Sequence, residues 1–555
     1  MRPSGRGPLD SLYFRYPSFT AKDVPELHGP GAKHRVVIVG AGPIGMTSAL
    51  ILARHGVPSV LLESKDTFND GSRAICISRS SMHILERAGA VRPFVDKALG
   101  WTHGRSYYRG TQIYRLEMPH SASEKYLPMY NLQQQYIEQF LHDAVARQPL
   151  IDMRWQSEVA EVQPREDGVA LQIRSPKGDY ALDADHVLAA DGARSAIRSM
   201  LGLRLKGENY EGRYVIADVQ MKHDFPTERR AFFEPAGNPG GTVLVHKQPD
   251  DIWRVDYQLH ESENAEEAVR EDNIRRRVQS ILDDIGHAGP WALEWWSIYT
   301  ANTLCLDDYG HGRVTFIGDS AHIVPIFGVR GLNNGLADAH NAAWKLAYVL
   351  KGIAAPGLLD SYTPERRGAT LDVFANATKS TRFMTPPTRG WRLAREAALS
   401  LAVKHEFTRG FANPRQMLPY AYAKSPITVP DADETPAPRG PVAGSASPNA
   451  RLADGRFLLD LAGDGFTVLY FVDRPLSAQE RSLFDGLRQL DPTLELCVIG
   501  GDALPDPDRA IAGIFAANEG SVVLLRPDQH IAGRWRSLRA DDLQSALRRA
   551  LGRIE

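Results

Sequence analysis

The sequence predicts an α/β protein: a Rossmann-like dinucleotide-binding domain interrupted by a sheet-rich layer, then a small α/β tail domain. Three observations predict it. A β-branched run, Val36-Val37-Ile38-Val39, passes straight into Gly40-Ala41-Gly42-Pro43-Ile44-Gly45, then a helical stretch, then a second apolar run ending at Glu63. Another short apolar run, at 314–317, ends in Gly318-Asp319 and a glycine-rich loop. Past a stretch at 426–448 dense in Pro, Ala, Gly and Ser, strand and helix patterns alternate again.

Composition narrows the function classes. The 555 residues are too many for one core. Apolar content of 43% and charged content of 24% are ordinary for a globular protein. A net charge of −2 gives no electrostatic case for nucleic acid or an anionic membrane. Cys76, Cys305 and Cys497 lie far apart with neither CxxC nor zinc spacing, so no metal site and a reducing, cytoplasmic setting are expected. No apolar segment follows Arg2 and Arg6 as in a signal peptide, and no run reaches the ~18 residues of a membrane span.

In chain order, 1–33 carries Tyr13, Phe14, Tyr16 and Phe19 and reads as an arm lying on the body. The strand–GxGxxG–helix–strand–acid pattern follows. Its glycines allow a tight turn, close approach of a pyrophosphate and helix–strand packing, and Glu63 is placed to accept from ribose hydroxyls. Arg73 could donate to the same pyrophosphate. Residues 131–146 read as a helix, 151–184 as a small antiparallel sheet, and 186–190 as a buried strand ending at Asp191-Gly192. Strands at short spacing, an acidic helix and an aromatic strand make 205–300 an inserted layer. In 314–352, Pro325, Gly328, Gly331 and Gly335 read as loop, with a helix from Leu336; its N–H groups and positive end face whatever lies in front. Helical, basic sequence at 376–425 precedes the linker, and the tail domain covers 449–555.

GAGPIG at 40–45, ADG at 190–192 and GDSAH at 318–322 together resemble the group A flavoprotein aromatic hydroxylases, the para-hydroxybenzoate hydroxylase fold. The tail segments RFLLDLAGDGFTVLYFV and VVLLRPDQHIAGRWR are similar to the thioredoxin-like domain of the phenol hydroxylase and 3-(3-hydroxyphenyl)propionate hydroxylase branch. Lacking CxxC, that domain is expected to have no redox role. The resemblance implies a discontinuous FAD-binding domain at 34–204 and 301–375, with the sheet domain at 205–300 inserted. It places Gly40, Gly42, Pro43, Ile44 and Gly45 at the FAD pyrophosphate, and Glu63 and Ser64 at the adenosine ribose. Arg73 falls near the pyrophosphate and the incoming nicotinamide cofactor, Gln134 on the FAD, and Asp191-Gly192 at both cofactors. Gly318 and Asp319 hold the ribityl chain, Pro325 lies over the flavin, and Gly331, Leu332 and Asn333 meet its pyrimidine edge.

One departure from the family pattern matters. The loop usually runs Gly-Gly-Gln-Gly-Met-Asn, and here it is Gly328-Val329-Arg330-Gly331-Leu332-Asn333. Three roles are open to Arg330: stabilising the anionic reduced flavin, pairing with a substrate carboxylate, or pointing away into an ion pair. The implied reaction is hydroxylation of a phenol, carboxylated or not, with NADH or NADPH and O2 through a flavin C4a-hydroperoxide. Tyr214, Asp218, Phe233, His246 and Tyr257 are available on the inserted sheet, with no base singled out among them. A reductase or dehydrogenase on the same FAD scaffold is the alternative. A halogenase is disfavoured because Trp295-Trp296-Ser297-Ile298 does not supply WxWxIP. A homodimer is compatible with the sequence.

Overall fold

The computed structural model describes the chain apart from residues 326–327, 413–417, 432–439, 503 and 554–555, and apart from the side chains of 210–211, 301, 377–380 and 411–412. The nucleotide domain is built on an eight-stranded sheet. Its centre is parallel, in the order Val314–Phe316, Tyr180–Ala189, His34–Val39, Ser59–Leu62, Ile151–Arg154. Residues 36–39 and 60–62 are continuous apolar runs buried throughout, as in the covered strands of a parallel sheet. Glu158–Pro164 and Val169–Arg174 extend the N-terminal half of Tyr180–Ala189 as an antiparallel flap.

The second sheet also has eight strands, in the order His322–Ile323, Trp291–Cys305, Lys206–Met221, Ile252–Gln258, Thr242–Lys247, Arg229–Phe233, His103–Tyr108, Thr111–Glu117. It reaches beyond the 205–300 expected from sequence. His103–Tyr108 joins by a parallel pairing with Arg229–Phe233, and Trp291–Cys305 runs on into the nucleotide domain. The acidic helix expected here is two, Ala265–Ala268 and Glu271–Asp284. Val243, Val245, Val255 and Tyr257 face the longer helix through Ile274, Val278 and Ile281. The other face turns toward the nucleotide domain.

Residues 1–33 do more than lie on the surface. Glu294, fully buried on the second sheet, takes its partners from the arm: Arg2, Arg6 at 2.9 Å, the Ser11 hydroxyl at 2.7 Å and the Leu12 amide at 2.9 Å. A buried carboxylate needs such partners. Phe14 is 6% exposed, and Phe19 stacks on Trp155 at 4.2 Å.

The tail forms a four-stranded sheet, Glu495–Gly500, Thr467–Val472, Val522–Leu525, Ile531–Trp535, the first pair parallel and the rest antiparallel. It shares one core with Trp344, Tyr348, Ala354 and Leu358 of the nucleotide domain, so it is not a detached unit. The expected linker at 426–448 lies outside the described residues at 432–439. Its described ends are pinned to the tail sheet, Val429 N to Ala532 O at 2.7 Å and Gly444 N to Ile531 O at 2.8 Å. Residues 413–417 of the expected segment 376–425 also lie outside the described residues; its start falls inside one helix, Tyr362–Met384.

Candidate functional site

The three sequence motifs occupy the C-terminal ends of three adjacent parallel strands. Gly40 N bonds to Leu62 O at 2.8 Å, Ala190 N to Val39 O at 2.8 Å and Ile317 N to Ala189 O at 3.0 Å, so the strand ends are laced together. In open α/β sheets ligands bind at this edge. A Cβ on Gly40, where φ is +101°, would stand 2.5 Å from Ala190 O, and one on Gly45 would collide with the Gly40 carbonyl. Gly42 is different: nothing lies within 4 Å of where its Cβ would be. It precedes the helix Pro43–Arg54, whose N-terminus has no side-chain cap. Uncapped N–H groups behind open space form an anion cradle. Glu63 sits beside it, accepting from Ala41 N at 2.9 Å and Lys65 N at 3.1 Å, and Ser64 is exposed next to it.

Arg73 is exposed on a loop held from two sides. The Gln134 amide oxygen accepts from Arg73 N and Ala74 N, both at 3.2 Å, and its nitrogen donates to buried Glu138 at 2.8 Å. Gln134 was expected on the cofactor; its amide is committed to positioning the Arg73 loop. From the second sheet Arg254 donates to Ser72 O and, at 3.1 Å, to Arg73 O.

Asp191 accepts from Ile197 N at 3.0 Å through one oxygen, while the other is buried without a partner. Burial pushes its pKa up, against hydrogen bonds from Ser195 and Ile197. Gly192 opens onto empty space. Arg198 ties this loop to the next by donating to Ala193 O and Ser320 O. Asp319 is accessible, yet enough protein surrounds it for burial to raise its pKa, with His322 and Arg73 opposing. An accessible carboxylate enclosed in that way lies in a recess.

The helix expected from Leu336 begins at Gly331 and runs to Leu350. Gly335 lies inside this helix and is not a loop residue; a Cβ there would lie 2.7 Å from Ile44 Cδ1, so the glycine lets the helix cross Pro43–Arg54 closely. Leu332 and Asn333 thus occupy the first turn, where N–H groups have no helical acceptor. The Asn333 side chain is fully used, donating to Cys76 O and Val329 O and accepting from Ser78 N and Ser81 Oγ. Pro325 is buried at the entry to the loop, whose next two residues are not described. Arg330 donates to Val373 O at 2.8 Å, with its Nε buried and unpaired. It makes no salt bridge among the described residues, and burial lowers its pKa, Asp372 opposing and Arg229 adding.

Sequence reasoning missed Asp338, and on the second sheet it singled out His246 but not Arg229 or Asp256. Behind the loop, Asp338 accepts from His322 at 2.6 Å, Arg366 at 2.6 Å and Gly318 N at 3.0 Å, all buried. On the inner face of the second sheet, Arg229, His246 and Asp256 are 4%, 5% and 7% exposed, and each has buried polar atoms without a partner. Of the sheet residues singled out from sequence, Tyr257 faces the opposite side and Asp218 is paired with Arg254 at 2.8 Å. Tyr214 is bonded to Thr385 at 2.7 Å, and Phe233 is packed in an apolar cluster.

A family profile described as FAD binding domain matches residues 33–377. The chain belongs to that FAD-binding family. The 3-(3-hydroxy-phenyl)propionate/3-hydroxycinnamic acid hydroxylase of Mycobacterium sp. (strain JLS) is 27% identical over 530 residues, covering 92% of this chain and 91% of that protein. The crystal structure of the flavin-dependent monooxygenase PieE with FAD and substrate superposes with a TM-score of 0.78 at 24% identity, covering 95% of this chain and 100% of that one. That of aklavinone-11 hydroxylase with FAD and aklavinone gives 0.76 at 22%, covering 94% and 100%. The open cradle at Gly42, the unpartnered Asp191 oxygen and the recessed Asp319 fit FAD along the strand ends of this flavoprotein.

Proposed function

We propose that the flavoprotein is an NAD(P)H-dependent monooxygenase that hydroxylates a phenolic ring. The observation that supports this is the uncapped Gly331–Leu350 N-terminus, found together with the accessible Asp319 carboxylate past the strand ends and the buried polar inner face of the second sheet. Bound FAD supplies reduction by a nicotinamide and activation of O2. Around it, the Pro43–Arg54 N-terminus and Arg73 hold the pyrophosphate, Glu63 and Ser64 the adenosine ribose, and Asp319 the ribityl chain. The N–H groups of Leu332 and Asn333, free in the first helical turn, would face the flavin and favour the negative charge it gains on reduction. Arg330 adds positive potential behind those donors, and Pro325 walls the reaction side. Asp191-Gly192 borders both the FAD and the passing nicotinamide. Cover from the second sheet keeps water from the reacting centre.

We further propose a thioredoxin-like tail. Its β-α-β-α-β-β-α order and its sheet with one parallel and two antiparallel pairings support the reading. Cys497, its only cysteine, is buried, which suits a structural role. The relatives' names favour a phenol bearing a carboxylated side chain.

The test is a panel of phenols, carboxylated and not, scored for stimulated NADH or NADPH oxidation with 18O2 and product mass. Stimulation by at least one phenol with one labelled oxygen in the product is expected. Nicotinamide oxidation without oxygen insertion would return the reading to a reductase on the same scaffold.

A further inference from the structure

The inner face of the second sheet has three zones. At one end Arg254, Asp218 and Trp295 lie under the 69–73 loop, with Gly71 against the Trp295 ring and Arg254 bonded to Ser72 O and Arg73 O. At the other end Tyr214, Ala231, Phe233 and Leu244 pack against Met384, Leu399 and Ala402 of the following helices. Between these filled ends, Arg229 stands opposite His246, and His246 opposite Arg254. Asp256 lies two residues along its strand from Arg254, on the same face.

This middle zone is unfilled in hydrogen-bonding terms. Arg229 Nε and Nη1, His246 Nδ1, Asp256 Oδ1 and the Tyr299 hydroxyl are buried without partners. Arg229 has no salt bridge among the described residues, although it is in electrostatic reach of Asp256, Tyr299 and Cys76. A buried cation and a buried carboxyl with open bonding positions destabilise the fold unless a ligand completes them. The zone is also within electrostatic reach of the start of the Gly331–Leu350 helix, since the Arg229 charge helps lower the Arg330 pKa.

Resting on the hydroxylase reading above, we propose that Asp256 takes the phenolic proton of the substrate and Arg229 holds the phenolate that results. The O–H bond of the phenol breaks, its electron pair stays on the ring oxygen, and the proton forms a new bond to the Asp256 carboxylate. No oxidation state changes, and the zone keeps its net charge. A phenolate is the better nucleophile toward an electrophilic oxygen, and a base that titrates near the working pH is best matched to making it. Burial raises the Asp256 pKa to about 7, with Arg254 and Arg229 opposing and Asp218 adding. Tyr214 and Tyr299 from the flanking strands and Cys76 from the nucleotide domain face the same carboxyl. His246 is held neutral by burial and by the two arginines, so it does not compete for the proton.

The test uses FAD-loaded Asp256→Asn and Asp256→Glu with a phenol that stimulates the wild type, and 3-nitrophenol, largely un-ionised in free solution at neutral pH, as a chromophoric probe. For the wild type, substrate-stimulated kcat/KM should rise with pH through about 7, because the carboxylate is the competent form, and bound 3-nitrophenol at neutral pH should show phenolate absorbance. Asp256→Asn should keep its FAD and its probe affinity, lose the phenolate signal, and lose about 100-fold or more in hydroxylation. It should recover as the pH passes the phenol's own pKa, because the phenolate then binds ready-made. Asp256→Glu should retain part of the activity. An Asp256→Asn enzyme with the wild-type pH profile and phenolate signal overturns the assignment and leaves the hydroxylase reading standing. A wild type that no phenol stimulates overturns both.

Discussion

A residue that leaves the family pattern, Arg330, is explained by its surroundings. Gly328 adopts φ +89°, and a Cβ there would stand 2.7 Å from Arg330 Nε, so that glycine makes room for the guanidinium. The side chain reaches Val373 O and not a carboxylate, so its charge is left uncompensated close behind the helix N-terminus. That arrangement favours the flavin-side role over pairing with a substrate. Arg330→Gln should lower the two-electron potential of bound FAD by about 20–40 mV, the equivalent of about 1–2 kcal/mol. Anaerobic reduction against a reference dye measures it. An unchanged potential with weakened binding of carboxylated phenols would move Arg330 to the substrate side, and no change in either would leave it with a structural role.

At the scale of elements, two glycines separate packing from binding. Gly335 serves the crossing of two helices, whereas Gly42 borders empty space, so substituting each should fail in a different way. Gly42→Ala has a compatible φ of −71° and no neighbour to strike. The apoprotein should melt within about 1 °C of wild type, while FAD affinity falls tenfold or more, which is about 1.4 kcal/mol. Gly335→Ala should instead cost about 1–3 kcal/mol of stability through overpacking against Ile44. Thermal melts of the apoproteins and FAD titrations by flavin fluorescence check both. The same pair shows what was legible in the sequence. The three strand-end motifs could be read because each needs only local order: an apolar run, a glycine, an acid. The start of the 331–350 helix was misread because a glycine chosen for close helix contact looks like a loop glycine until its neighbour is known. Asp256 escaped notice for another reason. Ile252–Gln258 alternates apolar and charged residues, which suggests one face in water, yet both faces are buried. The parallel pairing of His103–Tyr108 with Arg229–Phe233 joins segments more than a hundred residues apart and leaves no local trace.

For the whole molecule, the question is whether the tail is an appendage. One of its links to the nucleotide domain is ionic and buried. Arg526 of the tail bonds Glu365 at 2.6 and 2.9 Å and Asp528 at 2.6 Å, while Lys345 bonds Glu365 at 2.7 Å and Trp344 reaches Asp528 at 3.2 Å. These groups sit beside the core that Trp344 and Tyr348 share with Phe466 and Val468. Burial alone would raise the Glu365 pKa, but Arg526 and Lys345 outweigh it and bring it down to about 2. A depressed carboxylate pKa contributes stability that is present above the unfolded value, near 4.5, and is lost as pH falls through about 2. Wild-type unfolding should therefore be a single transition for both domains, persisting at pH values where exposed glutamates are already protonated. Removing Arg526 leaves Glu365 and Asp528 buried without their main cation, which should cost about 3–5 kcal/mol. In Arg526→Ala the Glu365 pKa rises toward its burial-driven value, so acid loosening should begin at higher pH than in wild type. Calorimetry at pH 7 and pH 4 with flavin fluorescence as a second probe checks this. The expected outcome is two separated transitions in the variant, with the tail melting first and the flavin retained. If Arg526→Ala still unfolded in one transition at the wild-type temperature, the domains would be held by the shared apolar core alone.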